Sequence, residues 1–203
     1  MNLGSLAIRG VVGPLFIGHG AQKLFGAFGG HGPEGTGQFF EQLGLRPGRR
    51  NAITAGVAEF AGGALLTLGA LTPIASSLIS GSMITAMRKA HASKGPWVTN
   101  GGYEYNLALL AAMVALNDYG PGSPSVDDAL FGQLRGPGWA LCQLGAGAAG
   151  SWLVTEALPD GQAQQRGQQE GQAPAGGDGA TAPDQRFSRE AEGVQSPGAT
   201  QGR

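Results

Sequence analysis

The chain has 203 residues, of which only 13% are charged and 38 are glycine, with a formal net charge of −1. No basic stripe interleaved with aromatics is present, which excludes a nucleic-acid surface. The single cysteine, Cys142, excludes an intramolecular disulfide, a CxxC redox pair and a cysteine-held iron–sulfur cluster.

Residues 3–28 open with an apolar run long enough for a bilayer helix, which needs roughly 17–25 mainly apolar residues. Arg9 sits inside that run and no basic stretch precedes it, so it reads as a retained helix and not a signal peptide. The run ends in "FIGHGAQKLFGAFGG", where His19, Gln22 and Lys23 arrive among glycines. At about 100° per residue, Arg9, His19 and Lys23 share a sector of roughly 80°, which should face protein and not lipid. Lys23 reads as the helix exit; His19 lies one turn deeper.

The loop that follows contains "GGHGPEGTG", which lacks the GK[ST] ending of a phosphate-binding loop and follows no strand. "TGQFFEQLGL" reads as a short interfacial helix capped by Thr36, with Phe39, Phe40 and Leu43 on one face. His31 reads as solvated.

Residues 51–71 and 73–91 give a second and a third span, joined at "LTP" with Pro73 in the first turn of the later helix. Glu59 lies in the second span, about 12 Å above Asn51 at 1.5 Å per residue, and level with His19. Ionisable groups in a bilayer are expensive and mark functional sites by default. A His19–Glu59 contact is therefore expected. The third span ends in "MRKAH", and the fourth, residues 104–119, is preceded by "GGYEYN". This gathers Arg88, Lys89, His91, Tyr103, Glu104, Tyr105 and Asn106 at the same end as Lys23. Snorkelling cations and interface aromatics account equally for several of these. A fifth candidate span covers residues 139–158, with Trp139 and Trp152 as interface anchors. No HExxH or Glu-x-x-His spacing supports a metal site.

The basic residues are asymmetric. Lys23, Arg46, Arg49 and Arg50 follow the first span, Arg88, Lys89 and Lys94 follow the third, and none lies between the second and third. Positive loops stay inside, so the N-terminus is expected outside and both basic loops in the cytoplasm. The fold class expected is all-α: a transmembrane bundle of four to five helices over residues 1–158. A tail over residues 159–203, rich in Gly, Gln, Pro and Ala, has too little to bury and is expected to be disordered.

The motifs "HGAQKLFGAFGG", "GTGQFF", "AEFAGGALLTLGALTPIAS" and "KGPWVTNGGYEYNLALLAA", in that order, resemble the DoxX family of bacterial membrane proteins. The resemblance implies a small helix bundle in the bacterial plasma membrane and a link to redox chemistry. It marks His19, Gly20, Gln22, Lys23, Glu59, Gly62, Gly63, Tyr103, Glu104 and Asn106 as family positions without assigning chemistry to them.

Three functions follow as expectations. In a quinone-reactive subunit, His19 and Lys23 would donate to the quinone while Glu59 set the imidazole tautomer or relayed protons. Gln22, Tyr103, Glu104 and Asn106 would complete the binding site, with quinone as the cofactor and soluble or membrane redox enzymes as partners. In a non-catalytic anchor, the basic loops and tail would recruit those enzymes. In a small-molecule carrier, Arg9 and Glu59 would mark a path through the bundle.

Overall fold

A computed structural model describes residues 2–132 and 134–157. The tail expected over residues 159–203 lies outside them. Among the described residues the protein is all-helical, with no strand. The helices are α1 (Leu3–Phe25), α2 (Gly32–Gln42), α3 (Gly48–Leu68), α4 (Thr72–Ala86), α5 (Glu104–Tyr119), α6 (Val126–Leu130) and α7 (Pro137–Trp152). Two of them continue as a wider π turn, α4 through Met87–His91 and α7 through Leu153–Ala157.

Local chemistry sets the helix ends. Asn2 caps α1 by accepting a hydrogen bond from Ser5 N, and Gly26 ends it in the left-handed conformation that a Cβ disfavours. The second span starts three residues earlier than the sequence suggests, because Pro47 supplies an extended entry and Gly48 the first turn. α2 begins at Gly32, with Pro33 in its first turn. Thr36 is therefore interior to the helix and not its cap, and the glycine-rich stretch rejected as a phosphate loop is helix from Gly32 onward. α5 has the bounds expected of it. The short α6 carries no apolar periodicity that sequence reading could find.

α1 packs chiefly on α3, and α4 on α7, α3 and α5. The first crossing is made of backbone: a Cβ added to Gly63 would sit 2.6 Å from Gly13 O and 2.7 Å from Ile17 N. Small residues at such a crossing let helices approach until their backbones touch. Phe16, Leu66, Ile79, Leu109, Met113 and Leu116 form the apolar centre where α1, α3, α4 and α5 meet. Around that centre the bundle buries Arg9, Glu59, Ser80, Asn117, Asp127 and Gln143, while Leu3, Val11, Leu68, Ile74, Leu107 and Leu141 stand exposed on its outside. Only α3 is, by length and composition, apolar enough to cross a membrane among the described residues.

One end of the bundle is locked. Arg9, 4% exposed, donates to Leu66 O, Thr67 O, Pro121 O and Pro124 O at 2.9–3.2 Å. Those first two carbonyls lie in the last turn of α3, where intrahelical donors run out. Fully buried Asp127 performs the complementary task, accepting from Leu71 N at 2.7 Å and Thr72 N at 2.8 Å. It caps α4 from a distant part of the chain. Leu71 sits at φ +47°, a costly conformation for a branched residue, and this carboxylate helps to hold it there.

Candidate functional site

The opposite end opens into a cavity of about 980 Å³, walled mainly by apolar side chains of α1, α3 and α4 and roofed by Phe39 and Phe40 of α2 and by Leu43 just after it. α2 is latched over it. Arg49 Nε donates to Glu34 Oε1 at 2.7 Å, and Gly48 N donates to Glu41 Oε1 at 3.1 Å. The hydrogen bond from Arg49 holds the Glu34 carboxyl below the usual carboxylate range.

Lys23 reaches inward. Its Nζ lies 2.5 Å from Glu59 Oε2, with side-chain exposures of 20% for Lys23 and 8% for Glu59. This corrects the expected His19–Glu59 contact. The lysine is a turn nearer the helix end, but its four-carbon stem bridges that difference and delivers a full charge to the buried acid. A boundary lysine and a buried carboxylate thus become one ion pair. His19 is exposed at the cavity wall, where its Nδ1 lies 3.2 Å from Gln22 Oε1. Gln22 Nε2 donates to Phe28 O at 3.4 Å, which turns its carbonyl oxygen toward the imidazole. His19 therefore donates from Nδ1, and in the neutral ring Nε2 is left as an acceptor. Gln22, and not Glu59, is the side chain in contact with the His19 ring nitrogen.

Asn106, buried, lines the cavity and donates from Nδ2 to Met83 Sδ at 3.4 Å. Tyr103 and Glu104 do not face it: Tyr103 precedes α5, and Glu104 accepts from Val98 N at 2.7 Å, closing the loop before that helix. His91 also lines the cavity while its Nδ1 sits 2.7 Å from Gly101 O, so it anchors the loop and faces the site. Arg9 is remote, on a path with nothing: four carbonyls at the locked end consume its guanidinium, which removes the residue the carrier reading needs.

Sequence reading missed Asn51. It is 3% exposed in the cavity wall, and neither its Nδ2 nor its Oδ1 has a protein partner. Its place at the start of a span was the available signal, though a polar residue there is ordinarily interfacial. No group of three or more His, Cys, Asp or Glu side chains that could hold a metal exists among the described residues.

The architecture is that of a helical bundle with polar groups inside and apolar surface outside, carrying a lysine–carboxylate pair in an apolar cavity at one end. Comparison with known proteins gives the family. Residues 4–92 match the family model described as DoxX. The chain is also 33% identical over 119 residues, 57% of its own length and 79% of the relative's, to "Putative oxidoreductase CatD" of Bacillus subtilis (strain 168). No solved structure matches. This chain belongs to the DoxX family.

Proposed function

We propose that the protein is a multi-pass plasma-membrane subunit whose cavity binds a quinone and exchanges protons with it on behalf of a redox partner. The single observation that carries this reading is the Lys23–Glu59 pair set in a largely apolar cavity beside the His19 imidazole. A quinone ring needs apolar walls for its faces and a proton-exchanging group at each oxygen. Lys23 donates to one oxygen, with Glu59 as the group that takes up or returns its proton. His19 serves the other oxygen, and its neutral Nε2 is the base that removes a proton from a quinol. Two electrons leave with the two protons when quinol becomes quinone, and a partner protein receives them. Exposed Arg46, Arg49 and Lys94 lie at this end of the bundle and supply that partner with a basic landing surface.

The membrane setting is supported by the inverted distribution of side chains. Leu3, Val11, Leu68, Leu107 and Leu141 would be costly in water but are at ease in lipid, whereas the buried charges and hydroxyls need the shelter of the bundle. α3, with 21 residues, is about 31 Å long, the thickness of a bilayer core. The N-terminus then faces outward and the cavity opens at the cytoplasmic side, where the basic loops lie.

Quinone binding to purified protein in nanodiscs tests this. Saturable binding is expected, weakened roughly tenfold or more in His19→Ala and in Lys23→Ala, the loss of one hydrogen bond each, charge-assisted at Lys23. Absence of saturable binding in the wild type would sink the reading.

A further inference from the structure

The cavity does not stop at the Lys23–Glu59 pair. On α1 it continues past His19 toward the locked end, lined by Phe16, Leu15, Val12 and Val11, and on α5 it is lined by Tyr105, Asn106 and Leu109. The two helices are antiparallel and are fastened at the locked end, where Ser5 Oγ donates to Gly120 O at 2.7 Å. Counting down α1 and back along α5 from that bond places Leu15 near the level of Leu109 and His19 near that of Asn106. Away from the bond the two helices barely pack on each other, whereas α1 packs closely on α3. The cavity fills the cleft between them.

That cleft is open at its side. Val11, Leu15 and Tyr105 are each more than half exposed, while Phe16 and Leu109 behind them are buried. From Val11 to Gly18, α1 carries no polar side chain. The opposite flank, between α4 and α7, differs: Ser77, Ser82, Thr85 and Ser151 line it. Charge narrows the choice of occupant. Lys23 is matched by Glu59 and Lys89 by Glu156, so an anionic headgroup would have to break a pair or settle for exposed Lys94. A neutral head with one apolar tail meets neither cost.

We propose that the cavity takes its quinone sideways from the bilayer, through the α1–α5 cleft, and holds the first isoprene units of its tail against Val11, Leu15, Phe16 and Leu109. The ligand is then a prenylated, lipid-soluble quinone and not a water-soluble one. This rests on the quinone reading of the head site. From His19 to Val11, α1 rises about 12 Å. Four chain carbons joined by bonds of about 1.5 Å advance about 5 Å, so about two to three isoprene units lie on the protein and the rest stays in lipid. Lipid is as apolar as the cleft, so the cleft supplies a path and a direction for the tail more than affinity. Exclusion and contact are therefore the properties to measure.

The full chain in nanodiscs is titrated with a ring that has no tail and with the same ring carrying two isoprene units, in benzoquinone and naphthoquinone forms. The wild type should bind tailed and tail-less forms saturably. Val11→Trp/Leu15→Trp fills the cleft with indole, and it should bind the tailed form roughly tenfold or more weakly while binding the tail-less form as the wild type does. Retained tail-less binding also shows that the variant folds. Should the double variant not fold, Leu15→Phe must weaken tailed binding several-fold on its own. A diazirine on the second isoprene unit should label α1 between Val11 and Phe16, or Leu109. Equal retention or equal loss of both forms in a folded variant overturns the cleft, and so does labelling of the α4–α7 flank. No saturable binding of either form by the wild type overturns the quinone reading, and the cleft proposal with it.

Discussion

Deleting the ammonium of Lys23 while leaving Glu59 in place tests whether the ion pair is a dry one. The two groups are 2.5 Å apart, and the Glu59 side chain is 8% exposed. Breaking a buried pair by removing one partner costs about 3–5 kcal/mol, because the survivor is left charged in apolar surroundings. Lys23 is 20% exposed, so solvent screens part of the attraction. The expected loss for Lys23→Met is therefore roughly 2–3 kcal/mol, below the fully buried range. Glu59→Gln should cost less, roughly 1–2 kcal/mol, since the surviving lysine has a flexible stem and can carry its charge outward. The Lys23→Met/Glu59→Gln double variant leaves no orphaned charge and should be more stable than Lys23→Met alone. The assay is reversible unfolding in mixed micelles followed by circular dichroism, run as a double-mutant cycle. A coupling energy of about 1–2 kcal/mol is expected; additivity within about 0.3–0.5 kcal/mol would refute the dry pair and leave two independently solvated side chains.

Arg9→Ala should lower stability by about 3–5 kcal/mol, since it strips hydrogen bonds from four carbonyls at the locked end, and Arg9→Lys should restore little because an ammonium lacks the planar fork; thermal unfolding reads both. Gly63→Ala places a Cβ 2.6 Å from Gly13 O and must push α1 away from α3, costing about 1–3 kcal/mol or more, whereas Gly18→Ala meets nothing within 4 Å and should gain up to about 1 kcal/mol from helix propensity. Gln22→Ala should leave the fold intact but remove the partner of His19 Nδ1, so quinone binding should weaken in the same nanodisc assay. The Glu34–Arg49 latch has a stated pH sign. The folded-state carboxyl titrates below its ordinary value, so the latch is fully formed above the ordinary carboxylate range and is lost as pH falls through the lowered folded value. Proteolysis within α2 should accelerate over that acidic window in the wild type and show no such window in Glu34→Gln.

The parts of this architecture legible in sequence are those fixed by local pattern. α5 matches its expected bounds because an acidic first turn and a terminal glycine frame one apolar run. Glu59 and His19 stood out because charge and imidazole are costly where those runs placed them. Long-range geometry was not legible. Helical angle and depth put His19 and Glu59 level, yet contact depends on side-chain reach, and lysine reaches where imidazole does not. Arg9 looked like a path residue because nothing local shows that the C-terminal carbonyls of α3 and the loop after α5 converge on it. Nothing in the local sequence sets Asp127 apart from Asp128; only the fold brings it to the start of α4. Asn51 looked like a helix-start residue, and only burial shows that its amide has no partner.

These placements divide the bundle into a fastened end and an adaptable one. At the Arg9–Asp127 end, charged groups are spent on backbone carbonyls and amides at the ends of α3 and α4 and in the loop after α5, so they hold those ends together. At the other end Lys23 and Glu59 are paired with each other, an arrangement that a small side-chain rotation can open. A ligand oxygen can replace Glu59 as the acceptor for Lys23 without unsatisfying any backbone group. The same substitution at Arg9 would expose the carbonyls of α3. The two ends carry similar charges, but only one can exchange partners without stripping backbone groups, and that is the end the proposed quinone would use.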